Sequence, residues 1–128
     1  MADGPTVPGP ALPPVPLTER EVAQVRRSGM IRASLADMGD DGTRPRLVSH
    51  YLFPDPAVRR PGGDRAIRAM ASRLGLTSRL SAAGDGLILE RDSAVAPAAF
   101  DALVLRIARE AAAEGWYYDG WESGVAAR

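Results

Sequence analysis

The chain gathers its large aromatic side chains in one place, and that place decides where a core can form. Trp116-Tyr117-Tyr118-Asp119-Gly120-Trp121-Glu122 holds both tryptophans and two of the three tyrosines of a 128-residue chain. The run follows directly on Gly115, a helix-stop residue, so it begins a new element rather than extending an old one. It reads as a last strand that closes a sheet. Strict alternation puts Trp116, Tyr118 and Gly120 on one side and Tyr117, Asp119 and Trp121 on the other. Glycine inside a strand marks a bulge or a close backbone approach, so Asp119-Gly120 is expected to break the regularity. Aromatics this dense are expected to be core and sheet cover, with Trp121 buried against a helix.

The stretches before it follow in a readable order. Residues 1–16 carry Pro5, Pro8, Pro10, Pro13, Pro14 and Pro16. Such a segment buries too little apolar surface to offset its ordering entropy, so it is expected to be a disordered or polyproline II tail. A single domain is expected over residues 17–124. Thr18-Glu19-Arg20-Glu21 is a capping box that opens a helix. Val22, Val25, Ile31, Leu35 and Met38 share a side at helical spacing, and Gly39-Asp40-Asp41-Gly42 ends the helix in an acidic turn. That turn lacks the pattern of a calcium loop.

Arg46 to Phe53 reads as a strand, apolar on both sides and so expected to be covered on both faces. Pro54 ends it, and Asp55-Pro56 is suited to a short helical turn. After Pro61-Gly62-Gly63, Asp64 caps a helix with Ile67, Met70, Ala71 and Leu74 on one stripe. Leu76 to Ala82 and Leu87 to Arg91 read as a hairpin around Gly84-Asp85-Gly86. Pro97 fits the first turn of a last helix, with Phe100, Leu103, Val104, Ile107 and Ala111 inward. The order is a helix followed by β-α-β-β-α-β. This is the split pattern of an α+β, ferredoxin-like sandwich with an extra N-terminal helix.

Composition narrows the chemistry. Sixteen basic residues, all Arg, balance sixteen acidic ones. A zero net charge argues against a protein held to nucleic acid or membrane mainly by charge. With no Cys and one His, thiol nucleophiles and multi-histidine or Cys-based metal sites are absent. No cofactor and no metal is expected. The N-terminus has no basic region ahead of an apolar one, and no run approaches the length of a membrane span, so a cytoplasmic protein is expected.

Three motifs in this order resemble the regulator of ribonuclease E activity B (RraB) family. They are Gly39-Asp40-Asp41-Gly42 after the leading helix, the strand Val48-Ser49-His50-Tyr51-Leu52-Phe53-Pro54-Asp55, and the C-terminal Tyr118-Asp119-Gly120-Trp121-Glu122. The similarity spans roughly residues 18–124, and the last motif is the most specific. The resemblance implies a ferredoxin-like fold and a non-catalytic regulator that binds and inhibits an RNA-decay endoribonuclease of the ribonuclease E type. It also implies that Asp40, Asp41, His50 and Tyr118 to Glu122 are family-motif or partner-contact residues. Known members are acidic, whereas this chain is neutral, and it carries a longer connection at residues 55–63.

Two other functions are open to these residues. His50 is the one side chain suited to proton transfer near neutral pH, and the strand order would let Asp119 approach it as a general-base pair. No nucleophile motif accompanies it, so His50 is expected to be structural and the chain not an enzyme. Asp119 and Glu122, three apart in a strand, are expected on opposite faces. The alternative to protein binding is RNA binding, with Tyr51 and Phe53 stacking bases on an open sheet face. Both rings are instead expected under a helix, with direct nucleic-acid binding absent.

Overall fold

The computed structural model describes residues 16–58 and 63–124. The proline-rich stretch therefore lies outside the described residues except for Pro16, which is exposed. The elements are α1 (Glu19–Asp37), β1 (Arg46–Pro54), α2 (Gly63–Arg73), β2 (Thr77–Leu80), β3 (Leu87–Ser93), α3 (Ala99–Ala113) and β4 (Trp116–Ser123). They form an α+β structure in which one four-stranded sheet runs in the order β2-β3-β1-β4, with every neighbouring pair antiparallel.

Local chemistry explains the boundaries. Glu21 N–H donates to the Thr18 hydroxyl at 3.1 Å, and Thr18 N–H donates back to the Glu21 carboxylate at 3.0 Å, so two of the free donors at the start of α1 are satisfied. Gly39, Gly75 and Gly115 follow the three helices with positive φ, the conformation that turns a chain out of a helix. The last helix starts at Ala99, two residues after Pro97, and Ala98 takes φ 72 with no side-chain cap. The β2–β3 hairpin closes over Ser81, whose hydroxyl accepts from Gly86 N–H at 3.0 Å.

Helices α2 and α3 share one core with the inner face of the sheet. Ile67 and Met70 of α2 and Phe100, Val104 and Ile107 of α3 cluster with Val48, Leu52 and Leu89. Helix α1 packs differently from the expected apolar stripe. Val22 and Met38 are exposed, and the buried residues of α1 are Glu21, Ser28 and Leu35. The helix is tied down by polar side chains at helical spacing. Glu21 pairs with Arg109 at 2.9 Å, and Gln24 donates to the carbonyl of Tyr118 at 3.3 Å. Ser28 accepts from the Trp121 indole at 2.8 Å, and Arg32 grips both carboxylate oxygens of Asp101 at 2.9 and 3.0 Å. These partners lie on α3 and β4, so α1 lies against α3 and shields the free edge of β4.

The alternation expected for β4 fails at one residue. Leu52 pairs with Tyr118 but Tyr51 pairs with Gly120, so Asp119 is an extra residue in the ladder. Beyond it the faces exchange. Trp116, Tyr118 and Trp121 all face the helices, and Tyr117 and Glu122 face away. Gly120 holds φ 128, and a Cβ there would meet the Arg27 guanidinium at 3.2 Å.

A second correction concerns β1. Val48, His50 and Leu52 are fully buried, whereas Leu47 is 54% exposed and Tyr51 and Phe53 are half-buried. Among the described residues no helix covers the side that carries Leu47, Ser49, Tyr51 and Phe53. The strand is apolar on both sides because its outer face is aromatic, not because both faces are covered.

Trp121 packs edge-on against Phe100, with ring centroids 4.8 Å apart, and its indole N–H is satisfied by Ser28. Trp121→Ala is expected to cost about 3–5 kcal/mol, the range for buried large aromatics. Urea unfolding measures it. A loss well under about 1 kcal/mol would show that the ring is not part of the core.

Candidate functional site

The uncovered sheet face is the candidate site, and strand register lays it out as a grid. One row runs Thr77–Glu90–Ser49–Glu122 across the four strands. The next runs Arg79–Ile88–Tyr51–Gly120, and beyond it Phe53 sits beside Tyr117. On the other side of the first row, Leu47 faces Asp92. One half of the face is therefore acidic, with Glu90, Asp92 and Glu122, and the other is aromatic, with Tyr51, Phe53 and Tyr117.

Hydrogen bonds brace the grid. Ser49 donates to Glu90 at 2.6 Å, and Arg79 donates to both oxygens of Glu90 at 3.0 and 3.2 Å. Arg79, and then the Ser49 hydroxyl, hold Glu90 below the usual carboxylate range. The Tyr51 hydroxyl donates to Glu122 in a short hydrogen bond. That bond is the main reason the Tyr51 hydroxyl is pushed up to about 12. Phe53 and Tyr117 meet at 5.9 Å between centroids, and the Arg20 guanidinium stands 5.4 Å over Tyr117. A Cβ on Gly86 would lie 2.5 Å from the Phe53 ring, so only glycine lets that ring lie across the β3 end of the sheet.

The residues singled out from sequence divide between this face and the interior. Glu122 lies on the open face, and Asp119 is exposed at the bulge. Gly120 is buried behind Arg27. Tyr118 and Trp121 point inward. Asp40 is 1% exposed and clasps Arg46 through both oxygens, at 2.8 and 3.0 Å, while also accepting from Gly42 N–H at 2.9 Å. Its neighbour Asp41 is exposed and accepts from the hydroxyl and N–H of Thr43, which lower its pKa. The acidic turn thus contributes one surface carboxylate, because Asp40 is committed to a buried ion pair at the start of β1.

His50 is fully buried and its partner is Tyr118, not Asp119. The Nδ1 of His50 and the Tyr118 hydroxyl lie 2.7 Å apart, and the imidazole stacks on Phe100 at 6.0 Å. Asp119 cannot orient His50, since as the bulge residue it is exposed. The Nε2 of His50 has no hydrogen-bond partner. If the hydroxyl donates to Nδ1, only Nε2–H is left unpaired. The other tautomer strands both the hydroxyl proton and the Nε2 lone pair, so hydroxyl-to-Nδ1 donation is the cheaper arrangement. Burial pushes His50 down to about 4, aided by the charge of Arg91, and burial raises Tyr118 well above the ordinary phenol range. Among the described residues no group of three His, Asp or Glu is placed to hold a metal ion. No described helix is long and apolar enough to cross a membrane.

Sequence patterning missed Glu90, Asp92 and Arg79 as members of this face. Their signal was present, since β3 and β2 alternate, but it has meaning only once β1 is known to be open on that side. No protein-family model matches the chain, and no curated protein matches it.

The buried imidazole gives stability a pH dependence of known sign. The folded state resists protonating His50 until about pH 4, whereas the unfolded chain takes the proton near 6.5. Stability is therefore full above about 6.5 and falls as pH drops toward 4, by up to about 3 kcal/mol in total at 1.36 kcal/mol per unit. Urea midpoints across this window should show the slope in the native chain and lack it in His50→Gln. Equal slopes in the two proteins would mean that the imidazole is solvated in the folded state.

Proposed function

We propose that the chain is a cytoplasmic, ferredoxin-like regulator of the RraB type, which lowers the activity of a ribonuclease E-type endoribonuclease by direct contact through its open sheet face. The antiparallel order β4-β1-β3-β2, with two helices on the inner face, supports the ferredoxin-like reading. The observation that carries the functional reading is the uncovered face itself. It joins a braced aromatic half to a row of carboxylates, and uncovered apolar surface of this kind marks interaction sites. Glu90, Asp92 and Glu122 disfavour a phosphate backbone across that half and suit a protein segment bearing cations. A net charge of zero is compatible with this, because charges are segregated on the surface rather than absent.

RNA binding is the second reading, and a specific observation favours keeping it. Tyr51 and Phe53 are half-buried on an uncovered face, with Arg79 in the same row as Tyr51, across Ile88, and Arg20 over Tyr117. Bases could stack there, on the aromatic half alone.

Binding between the purified chain and the purified ribonuclease E-type enzyme of its own cell separates the two. The regulator reading expects a complex that survives ribonuclease treatment and slows cleavage of single-stranded RNA. The double reversal Asp92→Arg, Glu122→Arg should weaken that complex about tenfold or more while the fold persists. Absence of a complex, or indifference to the reversal, would overturn it. Salt-dependent binding of single-stranded RNA that is lost in Tyr51→Ala and Phe53→Ala would establish the second reading in its place.

A further inference from the structure

On the opposite side of the β4 edge a cleft of about 390 Å³ opens between α1, α3 and the start of β4. Apart from Tyr117 and Arg20, which also border the open sheet face, its lining is not used by the function proposed above. Leu105, Ala108 and Ala112 of α3 form one wall, and Trp116, Tyr117 and Tyr118 form another. The charges at its rim are matched, Arg109 with Glu21 at 2.9 Å and Arg20 with Asp55 at 3.9 Å. A charged ligand would find no free counter-charge among these four. Gln24 also lines the cleft, but its Nε2 is fixed to the Tyr118 carbonyl and its Oε1 is buried. The cleft is thus apolar, aromatic and neutral.

That chemistry fits an uncharged peptide rich in proline. Proline rings pack on aromatic faces, and a polyproline II segment loses little entropy on docking because its backbone is already restricted. Pro16 is itself one of the lining residues, so the chain reaches α1 by way of the cleft. The residues before it include Pro5, Pro8, Pro10, Pro13 and Pro14, with Leu12 and Val15 between them, and Asp3 is their one charged side chain. We propose that this proline-rich segment of the same chain occupies the cleft.

The dimensions allow it. Leu105 to Ala112 is about 10 Å of helix at roughly 1.5 Å per residue. Three or four residues of polyproline II, at roughly 3.1 Å each, span the same length. Tethering makes weak contacts sufficient, since a short linker holds its ligand at an effective concentration of about millimolar. Occupied from within, the cleft is closed to a proline-rich segment from another protein unless that segment displaces the chain's own.

The absence of cysteine gives a clean test in the full chain. Ala11→Cys provides one thiol for a nitroxide label. Docking predicts loss of the amide NMR signals of Tyr117 and Ala108, with Thr43 and Asp92 at the far end of the sheet unaffected. Filling the cleft with Ala112→Trp, or replacing Pro13 and Pro14 by serine, should restore the lost signals. The serine replacements lie outside the described fold, so they remain informative even if Ala112→Trp unfolds the domain. Broadening that is the same with and without the serine replacements, or that is shared evenly with Thr43 and Asp92, would overturn the proposal.

Discussion

One extra residue in β4 sets the arrangement of everything around it. A strand of strict alternation cannot send Tyr118 and Trp121 to the same face, because they are three apart. The bulge at Asp119 removes that conflict, and Gly120 at φ 128 supplies the backbone conformation that it needs. Both rings then reach the core, where the Tyr118 hydroxyl bonds the Nδ1 of His50 and the Trp121 indole donates to Ser28. Without the bulge Trp121 would lie on the open face and α1 would lose its central anchor. The aromatic cluster, the buried histidine and the docking of the first helix therefore depend on a single register shift.

The docking of α1 shows what polar groups do at such a contact. Its buried stripe offers little apolar area, so attraction alone would place it loosely. Glu21, Gln24, Ser28 and Arg32 each meet a particular partner on α3, β4 or the segment before α3. Each bond contributes modestly, about 1 kcal/mol net, but an unmet partner at a buried position costs more than the bond gains. The set therefore fixes one translation and one rotation of the helix. The Asp40–Arg46 pair does the same for the turn that follows. Burying two charges is costly, and the fork geometry, the Arg44 and Gly124 carbonyls and the Gly42 amide make that position satisfactory and the alternatives poor.

Element order was legible in the sequence because glycines and prolines punctuate it and because helical and strand periods alternate cleanly between them. The capping box at Thr18 and Glu21, the Asp-Gly hairpin and the irregularity at Asp119-Gly120 each had a local signature. Facing was less legible. Val48 and Leu52 on one side of β1 and Tyr51 and Phe53 on the other look equally apolar, and only the helix positions decide which side is covered. Trp121 was assigned a side by counting twos through a bulge whose position could be read but whose effect on phase could not. The burial of Asp40 beside an exposed Asp41 depends on Arg46, six residues on, reaching back around the turn. Such a pairing is a tertiary fact with no period of its own.

The same distinction bears on how a neutral chain can present a charged face. Ion pairs such as Arg109–Glu21, Arg32–Asp101 and Arg73–Glu110 join helices to one another and neutralise the helical side of the molecule. On the open sheet face, strand register places Arg79, which is already shared with Glu90, while Arg20 over Tyr117 and Arg27 against Gly120 reach only its β4 margin. Asp92 and Glu122 are left without a cation at salt-bridge distance among the described residues. A sum over the sequence mixes these two populations and returns zero. What a partner meets is the field of one face, set by which carboxylates the fold has already paired and which it has turned outward.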